Sequence, residues 1–179
     1  DFDEKKINTY IPHREKEGYG ISVTTIEHLH DHEKTNLVIA VDCGISNKDA
    51  IDRGKELGID TIICDHHVMP KELPEQAILI HSLVPGETYP NKHLCGTSVA
   101  FKFASALIID ARKRGADLPE GHEKWLLDLV AIATVTDMMP LTGENRVLEK
   151  YGLLVLNKTK RVGLKELVEV SGGKWGELD

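Results

Sequence analysis

The chain has 179 residues, a length typical of one domain or slightly more. Its 22 Lys and Arg residues against 29 Asp and Glu residues give a formal net charge of −7, and 41% of the residues are hydrophobic. This composition is that of a soluble globular protein, and it excludes a disordered polyelectrolyte, a collagen-like repeat and a disulfide-rich scaffold. No apolar run approaches the roughly 18 residues that a membrane span needs, and the first residues do not resemble a signal peptide.

The cysteines and the charge balance bear on compartment and partners. Cys43, Cys64 and Cys95 are widely spaced and form no C-x-x-C pair, which is typical of a reducing compartment and predicts a cytoplasmic protein. The acidic balance argues against a bulk electrostatic attraction to nucleic acid. It still allows a site in which bound cations reverse the local charge.

The first part of the chain alternates strand-like and helix-like patterns. Residues 7–11 predict a strand, and Thr24 with Glu27 forms a potential capping box for a helix that ends near His32. Residues 37–41 form a continuous, partly β-branched apolar run, as expected of a strand buried on both faces.

The pattern continues with a helix that begins after Asn47 and ends near Leu57, where Gly58 occupies a C-terminal cap position. Two further strands are predicted at residues 61–64 and 77–80. The succession β-α-β-α-β predicts an α/β fold with a parallel sheet and helices on both of its faces.

From Gly96 onward the pattern is helical. A mostly buried helix is predicted from there to near Gly115, followed by helices at about 122–135 and 145–156 and a short one after Gly163. We expect residues 1–157 to form one domain and residues 158–179 to form a linker and helix that lead towards a second domain. The basic residues at 158–161 lie in this linker, where such clusters are most often simply solvated.

Acidic and imidazole side chains follow two of the predicted strands. Asp42 ends the first of these strands, and Asp65, His66 and His67 end the next. In an open parallel sheet, ligands bind beyond the carboxyl ends of the strands, so these groups face one crevice. Carboxylate and imidazole together suit Mn²⁺, Mg²⁺, Zn²⁺ or Fe²⁺, and an oxygen-rich set favours Mn²⁺ or Mg²⁺. The alternative is that the aspartates are caps and the histidines are exposed loop residues.

Two further segments allow more than one interpretation. Asp137 follows an apolar helix and precedes a proline-marked turn, so the residue pattern alone fits a cap as well as a functional acid. Gly96, Thr97 and Ser98 open a helix whose free N–H groups could face a phosphate, or they form an ordinary helix start.

These motifs resemble a known family. Asp65-His66-His67 and the preceding Val41-Asp42-Cys43-Gly44 are similar to motifs of the DHH phosphoesterase superfamily, and within it to the RecJ family of single-stranded-DNA-specific 5′→3′ exonucleases. The resemblance extends to segments 10–20, 95–102, 132–141, 143–146 and 158–161, in the family's order.

The resemblance implies a site with two metal ions, Mn²⁺ or Mg²⁺, that hydrolyses phosphodiester bonds in single-stranded DNA during DNA repair and recombination. The implied metal ligands are Asp1, Asp3, Asp42, His66 and Asp137, with Asp42 bridging the two ions. The resemblance places His67 against the scissile phosphate and makes Asp65 a residue that orients an imidazole or a turn. The predicted phosphate or DNA contacts are Gly96, Thr97, Ser98, Arg146, Lys158, Lys160 and Arg161.

The chain departs from the family pattern after Asp3, where Glu4-Lys5-Lys6 replaces an Asp-Gly and a long helix. We therefore expect the first domain to lack part of its N-terminal region, and the chain as it stands to fold but to have weak activity on DNA or none. Two alternatives stay open. One is a DHH phosphoesterase that acts on small nucleotides or oligoribonucleotides, and the other is a non-catalytic homologue that serves as a scaffold for replication or repair proteins.

Overall fold

The centre of the fold is a three-stranded parallel sheet. The computed structural model describes residues 6–178, and its strands are β1 (Leu37–Val41), β2 (Asp60–Cys64) and β3 (Ile78–Ile80), in the order β1-β2-β3. Leu37 is aligned with Asp60, and Val41 with Cys64, so β1 and β2 end at the same level. The sheet therefore brings the residues that follow β1 and β2 to one edge.

Helices account for about half of the remaining described residues. Within the described residues they are α1 (Arg14–Glu17), α2 (Val23–Glu33), α3 (Lys48–Glu56), α4 (Gly96–Lys113), α5 (Leu127–Thr136), α6 (Gly143–Leu156) and α7 (Val162–Val170). A 3₁₀ helix at His122–Leu126 leads into α5. None of the helices in this described part combines the length and the apolar character needed to cross a membrane.

The two faces of the sheet carry different helices. On one face, Ala40 and Ile63 of the strands pack with Ile51 of α3, next to a cluster that contains Ile26 of α2. On the other face, Cys64 packs with residues of α4, α5 and α6, among them Val99, Val130 and Leu148. The predicted α/β fold with a parallel sheet and helices on both faces is confirmed.

The prediction that β1 is buried on both faces is wrong. Leu37, Ile39 and Val41 are 44–46% exposed, whereas Ala40 is buried. β1 lies at the edge of the sheet in the described part, and α4 covers only part of the face to which these three side chains point. A continuous apolar run does not distinguish an edge strand from a central one.

The predicted strand at residues 7–11 is also wrong, because residues 7–13 have no regular structure. Ile7 and Ile11 are 60% and 82% exposed, so this segment buries little apolar surface. It is held instead by the Glu17 carboxylate, which accepts hydrogen bonds from Tyr10 Oη and from His13 N. Consequently the described sheet begins with β1, and the connection between β2 and β3 contains no helix.

The helix starts differ in detail from the prediction. Ser22 caps α2, since its hydroxyl accepts a hydrogen bond from Thr25 N at 3.0 Å, and Glu27 contacts Arg53 instead of closing a capping box with Thr24. Asn47 precedes α3 as predicted, but its side chain accepts from Ile21 N rather than capping the helix. The predicted helix at 122–135 is split between the 3₁₀ helix and α5.

Two further outcomes concern the second half of the chain. The C-terminal part of α4 is less buried than predicted, because Leu107 and Ile109 are 44% and 47% exposed. The segment after residue 157 is tied to the preceding helices, since Asn157 exchanges two hydrogen bonds of 2.9 Å with the backbone of Leu178.

Candidate metal centre

Asp42 occupies a strained position where β1 ends. Its backbone N–H continues the parallel ladder by donating to Cys64 O at 2.9 Å, but its φ angle is +62°. Left-handed backbone costs about 1–3 kcal/mol for a residue other than glycine and is concentrated at functional sites. This conformation turns the side chain away from the strand direction and towards the residues that follow β2.

The carboxyl ends of β1, β2 and α5 bring three polar side chains together. His66 Nε2 lies 3.1 Å from Asp42 Oδ1 and 3.3 Å from Asp137 Oδ2. One ligand atom each of Asp42, His66 and His67 lies within 4.8 Å of the others. An imidazole nitrogen directed between two carboxylate oxygens is a ligand arrangement suited to a divalent metal ion.

The environment of the Asp42 carboxylate fits such an ion. Its Oδ1 atom is buried and accepts no hydrogen bond from the described residues, although the side chain as a whole is 47% exposed. Burial raises the pKa of this carboxyl above its ordinary value, the nearby His66 opposes the change, and Asp137 adds to it. A bound cation would supply the missing partner and reverse this cost of ionisation.

Asp65 has the opposite environment. It is 1% exposed, and its Oδ1 accepts from the His67 ring Nδ1 at 2.6 Å, while its Oδ2 accepts from Ile45 N at 3.0 Å. The backbone N–H groups of His66 and His67 also donate to Oδ1. Burial alone would raise the pKa of Asp65, but the hydrogen bonds from His67, Ile45 and His66 outweigh it and lower the pKa. This carboxylate fixes the turn and the ring orientation of His67.

Tyr19 completes the surroundings of His67. Its hydroxyl donates to Asp42 O at 2.7 Å and lies 3.1 Å from His67 Nε2, and the Arg14 guanidinium lies over its ring at 5.4 Å. The flanking Gly18 and Gly20 have φ angles of +83° and +84°. These left-handed conformations turn the chain so that Tyr19 reaches the site. Tyr19 is not among the residues predicted for the site, and its signal in the sequence is an aromatic residue between two glycines.

His81 holds the turn that contains His67 through a hydrogen bond to its backbone. Its Nδ1 accepts from Leu83 N at 3.1 Å, so its Nε2 carries the proton and donates to His67 O at 2.9 Å. Burial lowers the pKa of His81, which favours this neutral form. His81 is also absent from the predicted site, because a single histidine after a short strand does not reveal its backbone partners.

Asp137 is positioned by the end of α5. Met138 N donates to Val135 O and Met139 N donates to Thr134 O, each at 3.0 Å, with Met138 in the left-handed conformation at φ +53°. These two bonds form a Schellman motif, in which Asp137 is the C-cap residue. The motif sets the direction of the Asp137 side chain towards His66.

The predicted phosphate contacts do not share one environment. Gly96 packs against Asp42, and Ser98 is fully buried with its hydroxyl 3.1 Å from Cys95 Sγ, whereas Thr97 is half-buried at the helix start. Arg161 donates to the buried Asp128 carboxylate at 3.0 Å.

The other basic side chains predicted to contact DNA, which are Arg146, Lys158 and Lys160, are exposed. The metal ligands predicted at Asp1 and Asp3 lie outside the described residues.

Curated relatives match nearly the whole chain. It is 43% identical over 174 residues to the single-stranded-DNA-specific exonuclease RecJ of Bacillus subtilis, covering 97% of this chain and 21% of that protein. It is 34% identical over 170 residues to the RecJ of Escherichia coli, covering 92% of this chain and 29% of that protein. The chain thus spans between about a fifth and a third of these relatives.

Solved structures agree with this similarity. A crystal structure described as exonuclease RecJ bound to manganese superposes with a TM-score of 0.74 at 36% identity, over 91% of this chain and 39% of that one. RecJ of Thermus thermophilus in complex with Mn²⁺ gives a TM-score of 0.66 at 32% identity, over 83% of this chain and 22% of that one. The sequence profile described as "DHH family, N-terminal domain" matches residues 2–134, and the chain therefore belongs to the DHH family.

Proposed function

We propose that this chain is the metal-binding part of a single-stranded-DNA-specific exonuclease that hydrolyses phosphodiester bonds in the 5′→3′ direction during DNA repair and recombination. The observation that carries the proposal is the position of His66 Nε2, 3.1 Å and 3.3 Å from carboxylate oxygens of Asp42 and Asp137. The similarity to the RecJ proteins, two of which have structures with manganese, supports the substrate class and the metal.

The proposed metal ligands are Asp42, His66 and Asp137, together with Asp1 and Asp3, for two ions of Mn²⁺ or Mg²⁺. The Oδ1 atom of Asp42, which accepts no hydrogen bond from the described residues, supports a bridging role for this carboxylate. Two such cations, when bound, lower the pKa of a water molecule and stabilise the attacking and leaving oxygens of a phosphodiester.

His67 is proposed to face the scissile phosphate. Because Asp65 is an ionised carboxylate that can only accept, the ring Nδ1 of His67 donates to it at 2.6 Å. Asp65 thereby fixes the ring, and Tyr19 contacts the opposite nitrogen. A ring fixed at both nitrogens keeps its position when charge develops on the phosphate.

The surface basic residues are proposed to contact the DNA backbone weakly. Lys158, Lys160 and Arg146 are exposed, which leaves their charges available to phosphates. Arg161 is paired with Asp128, so we assign it a smaller share of the binding. Thr97 and Gly96 offer backbone N–H groups at the start of α4, while the burial of Ser98 restricts it to its backbone.

The test is a single-turnover assay with the purified chain in excess over substrate, so that slow hydrolysis is detected. With Mn²⁺ present, 5′-labelled single-stranded DNA should release labelled mononucleotide first, at least about tenfold faster than blunt duplex does. His67→Ala should slow this hydrolysis by about 10²–10³ while Mn²⁺ remains bound. Asp117→Asn, which changes an exposed acid after α4, is the matched control and should keep the wild-type rate.

Three outcomes would overturn the proposal. One is faster hydrolysis of pyrophosphate, a dinucleotide or an oligoribonucleotide than of single-stranded DNA, which would favour a small-nucleotide phosphoesterase. Another is mononucleotide release that begins at the 3′ end. The third is failure of the wild-type chain to bind Mn²⁺, which would favour a non-catalytic scaffold.

A further inference from the structure

The first residue of α4 lies against the carboxylate of Asp42. A Cβ atom built on Gly96 would lie 2.3 Å from Asp42 Oδ1, 2.6 Å from its Cγ and 2.7 Å from its Cβ. All three distances are shorter than real Cβ contacts between unbonded atoms. The present position of the Asp42 carboxylate therefore requires a residue without a side chain at position 96.

This requirement concerns space and not backbone conformation. Gly96 is a helical residue in the first turn of α4, and it does not have the positive φ angle found at Gly20. Gly54 in α3 provides a contrast, because its Cβ would meet Ile26 Cγ2 at 3.6 Å, an ordinary van der Waals distance. A methyl group fits at position 54 and does not fit at position 96.

Asp42 has little freedom to avoid such a methyl group. Its N–H donates to Cys64 O, its carbonyl accepts from Tyr19, and its backbone already has a φ angle of +62°. The start of α4 is equally fixed, because Cys95 and Ser98 are buried on either side of Gly96. Rotation of the Asp42 side chain away from His66 would move Oδ1 and Cγ but leave Asp42 Cβ 2.7 Å from the added methyl group, so the end of β1 and the start of α4 would also have to move apart.

We propose that Gly96 is a positioning residue for metal binding, which lets the start of α4 pack against Asp42 and keeps the Oδ1 atom directed at His66. This inference rests on the proposed metal site. It assigns Gly96 a role that differs from the phosphate contact expected from the sequence. The buried Oδ1, which accepts no hydrogen bond from the part of the chain that the structure describes, is the atom nearest to the position that a methyl group would take, so a side chain at 96 acts on the proposed ligand atom itself.

The experiment compares Gly96→Ala with Gly54→Ala, both glycine-to-alanine changes within helices. Mn²⁺ affinity is measured by titration with electron paramagnetic resonance, which detects the free ion, and stability is measured by thermal unfolding without metal. Gly96→Ala should weaken Mn²⁺ binding by at least about tenfold, as residues that support metal ligands typically do. Gly54→Ala should stay within twofold of the wild type. Equal affinities in the wild type and Gly96→Ala would overturn the inference.

A double variant separates this inference from the proposed function. Asp42→Gly removes all three atoms that clash, and glycine suits the φ angle at that position. If Gly96→Ala lowers the melting temperature or prevents folding, adding Asp42→Gly should restore the melting temperature of the Asp42→Gly single variant.

Failure of that rescue would overturn the role of Gly96, whether or not the wild type binds metal. The rescue could also succeed in a protein whose wild type binds no Mn²⁺. That result would overturn the proposed metal site and the part of this inference that concerns metal, and it would leave only a packing role for Gly96.

Discussion

Asp42 and Asp65 follow adjacent parallel strands at the same edge of the sheet, yet the protein surrounds their carboxylates in opposite ways. Asp65 is 1% exposed and accepts hydrogen bonds from three backbone N–H groups and one imidazole ring. Asp42 is half-exposed, and its buried Oδ1 has no hydrogen-bond partner among the described residues. The pKa of Asp65 is lowered and that of Asp42 is raised.

The difference shows how a fold separates a structural acid from a proposed metal ligand. A buried carboxylate that is fully hydrogen-bonded stabilises its turn and has no capacity left for a cation. An ionised carboxylate without hydrogen-bond partners destabilises the protein until a cation binds beside it. Burial and the nearby charge of Asp137 disfavour ionisation of Asp42, and the same surroundings favour the binding of a cation. Removing the Asp42 carboxylate should therefore weaken metal binding without lowering stability, whereas removing the Asp65 carboxylate should lower stability.

The largest expected effect is on metal affinity. Asp42→Asn should weaken Mn²⁺ binding by more than about 100-fold, because it removes the charge of a proposed ligand. Loss of a group that only supports a ligand already reduces metal affinity by roughly 10- to 100-fold. The raised pKa means that the folded state binds a proton more tightly than the unfolded state, so the ionised carboxylate destabilises the fold above about pH 4. At pH 7 and without metal, Asp42→Asn should therefore have a melting temperature equal to or above that of the metal-free wild type. Calorimetric titration and thermal unfolding measure the two quantities, and a large fall in the melting temperature would contradict the contrast.

The next effect is on stability. Asp65→Asn should lower the free energy of unfolding by about 2–3 kcal/mol at pH 7, because it removes charge-assisted hydrogen bonds in a buried site. The control is Asp60→Asn at the start of the same strand, where the pair with Lys55 is exposed and the cost should stay below about 1 kcal/mol. Urea unfolding of the three proteins gives the comparison, and equal losses in the two variants would contradict a special role for Asp65.

The contribution of Asp65 to the free energy of unfolding should also depend on pH. Since the pKa of Asp65 is lowered by folding, its contribution is complete above the unfolded value near 4 and is lost as the pH falls towards the folded value. The difference in unfolding free energy between the wild type and Asp65→Asn should be constant from pH 7 to 5 and should shrink below about pH 4. A difference that grows as the pH falls would have the wrong sign.

The smallest effect concerns the second left-handed residue near the site. Met138 resembles Asp42 in having a positive φ angle, but its side chain is 87% exposed, and its part in the site is the backbone conformation that glycine also adopts. Met138→Gly should raise the free energy of unfolding by about 0.5–1 kcal/mol, because glycine relieves the steric cost of the left-handed conformation, and it should leave Mn²⁺ affinity unchanged. Lys34→Gly, at φ +53° after α2, is the matched control and should give a similar gain by denaturant unfolding. A change in metal affinity in Met138→Gly would show that the Met138 side chain, and not only its backbone conformation, affects Asp137.

The sequence determined the strands at 37–41 and 61–64 and the meeting of their terminal acids at one edge. The physical reason is local: an apolar, β-branched run favours a strand, and neighbouring parallel strands present their carboxyl ends at the same edge of a sheet. The same reasoning failed at residues 7–11, because a strand also needs a neighbour to satisfy its backbone groups, and no local pattern shows whether one is available.

The resemblance gave these two acids different roles, but only the tertiary structure decided how their surroundings differ: the described residues leave one Asp42 oxygen without a hydrogen bond and surround the Asp65 carboxylate with four. Asp42 and Asp65 occupy equivalent places in sequence, and their difference comes from groups brought in by other elements, namely Tyr19, Ile45 and Asp137. The close approach of Gly96 to Asp42, across 54 positions, depends likewise on how α4 packs on the sheet. Hydrogen bonding and close packing act over a few ångströms between residues far apart in the chain, so these contacts are determined only when the chain folds.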